Sequence, residues 1–233
     1  QVITTGELVK LCAVDSKLYS KTFFPRTVRQ EGPAAHNQMW DLLENPSKRY
    51  VNLQCFRGSA KTSLLRLFTS KRIAYGISHT ILYVGASEPH ATRSIRWLKS
   101  AVSRNEKYAG TFGLSRGSKW GETELEIIRA EDNQPVWVLG VGITGNIRGI
   151  NFDDYRPDLI ILDDIVTDEN ASSLEQREKV GDLVLGALKE SLTPRSEEPN
   201  AKFANLQTPI HGDDVSSQMV KDPQFDTFKF PCW

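Results

Sequence analysis

The chain has 233 residues, enough for one α/β domain with a full hydrophobic core. Hydrophobic residues make up 39% and charged residues 25%, and the formal net charge of zero means that any nucleic-acid-binding surface must be local. No apolar run reaches the roughly 18 residues that a membrane-spanning helix needs, and no signal peptide is visible. Three scattered cysteines (Cys12, Cys55 and Cys232) favour reduced thiols in a cytosolic setting over a disulfide framework or a zinc site.

Hydrophobic periodicity predicts helices that alternate with strands along the chain. The predicted helices span residues 6–19, 34–43, 62–75, 89–103 and 171–192. The predicted strands span residues 50–55, 80–87, 124–130, 135–141, 159–162, 201–207 and 225–230, and the third and fourth of them form a hairpin. Residues 104–122 are rich in Gly and polar side chains, which predicts a loop. The alternation predicts a mainly parallel sheet covered by helices on both faces.

A basic loop of small residues joins the strand at 50–55 to the next helix. A phosphate-binding P-loop has Gly at the positions held here by Cys55 and Ala60, so the usual pattern is only partly met. Lys61 is nevertheless placed to reach terminal phosphates, and Thr62 to offer a hydroxyl to Mg²⁺. The residues small enough for backbone N–H groups to close around a phosphate are Gly58, Ser59 and Ala60. The loop therefore predicts hydrolysis of a nucleoside triphosphate.

A second motif is the apolar run 159–162, which ends in Asp163 and Asp164. A buried strand that delivers two carboxylates suits a magnesium–nucleotide site, with Asp163 holding Mg²⁺ through Thr62 or water and Asp164 orienting or deprotonating the attacking water. Taken alone, the same pattern is also typical of a strand that ends in a solvated acidic turn. Its position downstream of the loop favours the metal site.

A third motif is the predicted strand end at Gln207 and Thr208, where Pro209 stops the ladder. Carboxyl ends of parallel strands face the ligand crevice, so these two side chains are candidates for sensing a γ-phosphate. The alternative is an ordinary turn after a strand.

Taken together, these segments resemble the ATPase domain of the large terminase subunit of tailed bacteriophages, the motor that pumps DNA into the capsid. The resemblance covers nearly the whole chain, from about Leu8 to Trp233. Its motifs are an Arg-Gly-x-x-Lys-Thr loop, an Arg-Gly and acidic-strand tandem, a coupling motif and an upstream adenine-contacting segment. The adenine-contacting segment matches residues 23–25 and 36–38, and the loop matches residues 57–62. The Arg-Gly and acidic-strand tandem matches residues 142–149 and 156–165, and the coupling motif matches residues 207–214.

The resemblance implies a role for individual residues. Gln38 would read the adenine edge, Arg57 would act on the γ-phosphate from within the loop, and Arg148 would reach a neighbouring subunit's nucleotide. Without the resemblance, a salt bridge is the favoured role of Arg148. The implied nucleotide-binding residues are Gln38, Arg57, Gly58, Ser59, Ala60, Lys61, Thr62 and Ser63. The implied catalytic residues are Asp164, Arg148, Arg57 and Lys61, with Thr62 and Asp163 on the metal and Gln207 and Thr208 in coupling.

Two positions depart from the family pattern. Ala60 replaces the usual Gly, so the loop has to bend without glycine there. Asp164 stands where many relatives carry Glu, so its shorter side chain puts its role as catalytic base in doubt.

The resemblance also implies an architecture and partners. The expected fold is an α/β P-loop NTPase of the ASCE type, with an N-terminal helical segment at 1–45 that carries the adenine-binding Gln, and an ATPase core at 46–233. The nuclease domain of large terminases is expected to be absent from this chain. ATP and Mg²⁺ are the implied substrate and cofactor. The implied partners are double-stranded DNA, the portal protein of the procapsid and the small terminase subunit, in the host cytoplasm and without a membrane. The isolated protein is expected to be a monomer, and the assembled motor a homo-oligomeric ring.

Two other functions remain open from the sequence. One is another nucleic-acid translocase or helicase, which would be expected to carry a second motor-like domain. The other is a nucleotide-binding scaffold without hydrolysis, against which the retention of Lys61, Thr62, Asp163 and Asp164 argues.

Overall fold

An eight-stranded sheet forms the centre of the protein, in the order β3-β4-β5-β2-β6-β7-β1-β8. The computed structural model describes residues 3–28, 34–145 and 155–231. Strands β5, β2, β6, β7, β1 and β8 pair in parallel, whereas β3, β4 and β5 pair antiparallel. The strands are β1 (Tyr50–Cys55), β2 (Thr80–Gly85), β3 (Leu114–Trp120), β4 (Glu124–Arg129), β5 (Pro135–Gly142), β6 (Leu159–Asp163), β7 (Lys202–Gln207) and β8 (Phe225–Phe230). The predicted α/β class, mainly parallel sheet and hairpin are confirmed.

Helices pack on both faces of the sheet, because its central strands are apolar on both sides. In β2, Ile81 and Tyr83 join one hydrophobic cluster, while Leu82 and Val84 join the other. The first cluster contains α4 and α5 side chains, and the second contains side chains from residues 165–192 and 215–219. The helices are α1 (Thr5–Val14), α2 (Ser16–Phe23), α3 (Ala34–Glu44), α4 (Lys61–Ala74), α5 (Glu88–Arg104), α6 (Glu106–Phe112), α7 (Asp168–Ala171), α8 (Leu174–Gly181), α9 (Lys189–Ser191) and α10 (Val215–Lys221).

Two predicted helices are in fact broken. The helix predicted over 6–19 is divided at Asp15, whose side chain accepts a hydrogen bond from the Leu18 N–H at 2.8 Å and so begins α2. The helix predicted over 171–192 is also divided, because Ser173 caps a new helix start at α8. A π-helical stretch, Asp182–Leu188, then connects α8 to α9. Polar side chains that bond to the backbone compete with a continuous helix at these positions.

The prediction of a loop over residues 104–122 was wrong. This segment forms α6, which Asn105 caps, and then strand β3 at the edge of the sheet. Most β3 side chains are exposed or half-buried, so the strand lacks the apolar alternation from which strands are predicted. The short helix α10 was also missed.

Two remaining features were expected from composition. Cys12 and Cys55 are buried free thiols, and Cys232 lies outside the described residues. None of the described helices combines the length and apolar character that crossing a membrane requires.

Candidate functional site

The loop of residues 56–60, called here the small-residue loop, leaves the carboxyl end of β1 and enters α4. Gly58 has a φ of 83°, and Ala60 has the left-handed values φ 57° and ψ 29°. Alanine adopts this conformation at a cost of about 1 kcal/mol, because its Cβ crowds the following carbonyl group. The bend that glycine would make freely is therefore present here, and Ala60 carries the strain.

The start of α4 is open to an anion. Ala60 is the N-cap residue, and none of the described side chains caps the helix. The first-turn N–H groups of Lys61, Thr62 and Ser63 have no acceptor within the helix and carry its positive partial charge. Ser59 is buried, and its hydroxyl lies near the Cys55 thiol but has no well-aligned hydrogen-bond partner among the residues that the structure describes. An uncapped helix start beside an unpaired hydroxyl suits a phosphate group.

Lys61 extends from this helix start toward two other segments of the chain. Its Nζ donates to Thr208 Oγ1 at 2.6 Å and to the Phe56 carbonyl oxygen at 3.3 Å. The same Nζ lies 3.6 Å from Asp164 Oδ2. Lys61 is only 6% exposed, so its ammonium group depends on these acceptors rather than on water.

Asp163 ends β6 and is fully buried. Its Oδ1 accepts a hydrogen bond from Thr62 Oγ1 at 2.9 Å, and its Oδ2 accepts one from the Tyr83 hydroxyl at 2.7 Å. Burial raises the pKa of Asp163, while the Tyr83 hydrogen bond and the His90 ring, whose Nε2 lies 3.9 Å from Oδ2, oppose the rise. The two sequence motifs that supply Thr62 and Asp163 are thus joined directly.

Tyr83 and His90 were missed by the sequence analysis. Tyr83 lies within the apolar run of β2, where its hydroxyl gives the only local signal of a polar role. His90 lies in the first turn of α5 and lines the same cavity as Lys61. Both contacts depend on the pairing of β2 with β6, in which Gly85 faces Asp163.

Asp164 follows β6 in a left-handed conformation, with a φ of 51°. Its N–H donates to the Leu206 carbonyl oxygen at 3.0 Å. Its Oδ1 accepts hydrogen bonds from the Thr208 N–H at 3.0 Å and from Gln207 Nε2 at 3.3 Å. These bonds fix one carboxylate oxygen and leave Oδ2 directed toward Lys61.

Gln207 and Thr208 have different positions, although the sequence analysis gave them one role. Thr208 lines the cavity, whereas Gln207 is fully buried and lines none of the cavity wall. The Gln207 side chain bridges the Asp164 carboxylate and the Val166 N–H, which donates to its Oε1 at 3.2 Å. Gln207 can therefore act on a ligand only indirectly, through the cavity-lining residues that it contacts: Asp164, Val166 and Thr208.

The cavity itself has a volume of about 340 Å³ and lies at the carboxyl edge of the sheet. Arg57 is exposed beside it and faces Asp168, with 4.0 Å between the guanidinium and carboxylate atoms. The lining residues are Arg57, Gly58, Lys61, Ala86, His90, Asp164, Val166, Thr167, Asp168, Thr208 and Ile210. Among the described residues no cluster of three or more His, Cys, Asp or Glu side chains could hold a metal by itself. A Mg²⁺ ion bound with a nucleotide needs only one or two protein ligands, because phosphate and water supply the others.

Gln38 lies apart from this cavity. It is exposed on α3 and lines a separate groove of about 320 Å³ with Phe228 and Phe230 of β8. Phe230 is paired with Cys55, so the groove is at the same edge of the sheet as the small-residue loop. His36, also on α3, donates from Nε2 to the Ser59 carbonyl oxygen at 2.7 Å and ties the helix to the loop.

One predicted site residue, Arg148, lies outside the described residues. The structure brings together the other main residues: Lys61, Thr62, Asp163, Asp164 and Thr208 lie in direct contact. The comparison with protein-family models gave no match, and neither did the comparison with curated proteins.

Proposed function

We propose that this chain is the ATP-hydrolysing motor domain of a viral DNA-packaging terminase, with a P-loop NTPase fold of the ASCE type. The observation that supports it best is the meeting of three distant segments at one edge of the sheet. Lys61 bonds to Thr208, 147 residues away, and Thr62 bonds to Asp163, 101 residues away. A basic loop, a paired-carboxylate strand end and a polar strand end are the parts that nucleotide hydrolysis requires.

Phosphate binding is assigned to the small-residue loop and the start of α4. The free N–H groups of the first turn and the unpaired Ser59 hydroxyl are the donors for phosphate oxygens. Lys61 already lies against acceptor groups in the cavity. A terminal phosphate would offer the Lys61 ammonium group an acceptor with full negative charge. Arg57 is an exposed cation that lines the same cavity as Lys61.

The residues present also fit Mg²⁺. Thr62 would hold the ion, and the fully buried Asp163 would hold it through Thr62 or water. When bound, the ion would supply charge neutralisation for the leaving phosphate. Tyr83 fixes the other oxygen of Asp163, so the carboxylate keeps one orientation toward Thr62. Gln38 would contact the base from the groove beside β8.

Asp164 is assigned the role of general base. Two N–H donors hold its Oδ1, so Oδ2 is the atom that can accept a proton from water in the cavity. Its left-handed backbone places the carboxylate beside Lys61 and Thr208, and this position would compensate for the methylene group that Glu has and Asp lacks.

Coupling is assigned to the segment 206–208. A change in charge near Asp164 reaches the Leu206 carbonyl, the Gln207 amide and the Thr208 N–H through existing hydrogen bonds. Motion of this segment would be transmitted to double-stranded DNA. The motor would be a ring docked on the portal protein of the procapsid, would act with the small terminase subunit, and would work in the host cytoplasm. Arg148 would complete a neighbouring subunit's site in that ring.

The test is phosphate release from Mg-ATP by the wild type, Lys61→Ala and a control, Lys221→Ala, whose exposed side chain on α10 pairs with Asp213. We expect slow release by the isolated wild type, a loss of about 10²-fold or more in Lys61→Ala, and no change in the control. Equal release by the wild type and Lys61→Ala, in the presence of DNA and procapsid, would favour a scaffold instead. Unwinding of an oligonucleotide duplex by the wild type would favour a helicase.

The ring is tested separately with Arg148→Ala. We expect this variant to bind ATP as the wild type does and to lose hydrolysis only in the assembled motor. Normal packaging-coupled hydrolysis by Arg148→Ala would contradict the proposal that Arg148 acts in a neighbouring subunit's site.

A further inference from the structure

A second cavity, of about 530 Å³, lies at the amino edge of the sheet. It is formed where β2, β5 and β6 begin, and its lining includes His79, Trp137, Tyr155 and Asp158. Asp158 is the residue before the five-residue strand β6 and Asp163 is its last residue, so the two sites are about 16 Å apart at the usual rise of a strand. The amino-edge cavity is therefore separate from the cavity at Lys61.

The side chain of Asp158 is buried, and its two carboxylate oxygens differ in their hydrogen bonding. Its Oδ2 accepts hydrogen bonds from the backbone N–H groups of His79 and Thr80, at 2.6 and 3.2 Å. Its Oδ1 has no hydrogen-bond partner among the residues that the structure describes, although Asp158 is only 5% exposed. A buried acceptor of this kind is unfavourable unless a donor reaches it.

The cavity has aromatic walls. The rings of Trp137 and Tyr155 are 5.7 Å apart with an interplanar angle of 35°, and Tyr155 is 59% exposed. Faces of such rings attract planar cations, which stack on them and keep their N–H groups free to donate at the edge.

The charge of the lining points the same way. Three carboxylates line the cavity, from Asp158, Glu197 and Glu198, against one guanidinium group, from Arg156. Burial raises the pKa of Asp158, while the charge of Arg72 and the nearby Ser78 hydroxyl oppose the rise. The guanidinium group of Arg72 itself donates to Ser78 Oγ and the Asn200 carbonyl oxygen. An anion would meet excess negative charge here, whereas a cation would be attracted to it.

We propose that this cavity binds a guanidinium group, stacked on Trp137 or Tyr155 and donating an N–H to Asp158 Oδ1. Glu197 and Glu198 would receive further N–H groups at the rim. The group can belong to a small free molecule or to an arginine side chain, since both present the same planar donor.

Titration calorimetry of the whole chain with agmatine tests the proposal, with N-acetylargininamide as the second probe. We expect saturable binding that weakens by about 10-fold or more in Asp158→Asn, because the amide keeps an acceptor for His79 and Thr80 but presents a donor to the ligand. Tyr155→Ser should weaken binding as well, and the control Asp213→Asn should not. Tighter binding of agmatine supports a small free ligand, and tighter binding of N-acetylargininamide supports an arginine side chain.

Two outcomes would overturn the proposal: no saturable binding of either probe, or equal binding by the wild type and a folded Asp158→Asn. Putrescine, which has ammonium groups only, should bind more weakly than agmatine, and equal binding would contradict the guanidinium assignment. Lys61→Ala should bind agmatine as the wild type does, so the outcome does not depend on the proposed ATPase.

Discussion

Two buried lysines lie at opposite ends of the parallel sheet, and their surroundings differ. Lys61, at the carboxyl end, contacts the Thr208 hydroxyl and the Asp164 carboxylate, which line an open cavity. Lys202, at the amino end, donates to the carbonyl oxygens of Leu43 and Asn45 at 2.6 and 2.8 Å. These carbonyls belong to the last turn of α3 and the residue after it, so Lys202 closes a helix end.

The difference distinguishes a lysine that stabilises the fold from a lysine that is available to a ligand. Lys202 is 2% exposed, and burial is the largest cause that lowers its pKa to about 7. Its acceptors are backbone carbonyls that the protein must satisfy in any case. Lys61 also donates to the Phe56 carbonyl oxygen, but its other two partners, Thr208 and Asp164, are side chains that a ligand can displace. Removing Lys61 should therefore affect activity, and removing Lys202 should affect stability.

The largest expected effect is on hydrolysis. Lys61→Met should lower phosphate release by about 10²-fold or more, while Lys202→Met should leave the rate per folded molecule nearly unchanged. The methionine keeps most of the buried stem in both variants, which makes them a matched pair. Phosphate release and circular dichroism on the same samples measure the two quantities. Equal loss of activity in both folded variants would break the distinction between the two ends.

The pH dependence of stability is the next largest effect. The pKa of Lys202 is lower in the folded protein than in the unfolded chain, so the unfolded chain binds more protons above about pH 7. The free energy of unfolding of the wild type should therefore rise with pH relative to Lys202→Met, by up to about 1.4 kcal/mol per pH unit.

Urea denaturation of both proteins between about pH 7 and pH 9 measures this difference. The interval avoids the titration of buried tyrosines such as Tyr83, whose pKa burial raises well above its ordinary value. If the difference in the free energy of unfolding between the wild type and Lys202→Met is constant or falls with pH, Lys202 keeps its charge in the folded protein.

The sequence predicted the apolar framework of the site well and its contacts poorly. Strand β1 was predicted with its observed bounds, and β6 was predicted one residue short, because unbroken apolar runs give a strong signal. The separate roles of Gln207 and Thr208 depend on the register in which Asp163 faces Leu206, and no local pattern encodes that register. The same limit explains why Tyr83 was missed.

A smaller effect is expected from Tyr83→Phe at the carboxyl end. Burial raises the pKa of Asp163 and the Tyr83 hydroxyl opposes that rise, so removing the hydroxyl should raise the pKa further and move the acid limb of the hydrolysis profile to higher pH. The fold should lose about 1.5 kcal/mol, because a buried charged group loses a donor. Tyr75→Phe is the matched control, since its hydroxyl donates at 2.7 Å to the Val9 carbonyl oxygen away from the cavity. An identical shift of the acid limb in both variants would rule out the direct contact as its cause.

The smallest effect should come from Ala60→Gly, next to Lys61. Glycine removes the cost of the left-handed conformation, about 1 kcal/mol, but loses more backbone entropy on folding. The net change in the free energy of unfolding should lie between zero and a gain of about 1 kcal/mol. Ala109→Gly, in the middle of α6, should instead lose about 1 kcal/mol. Equal losses in the two variants, measured by urea denaturation, would mean that Ala60 bears no strain and that the loop before Lys61 is relaxed.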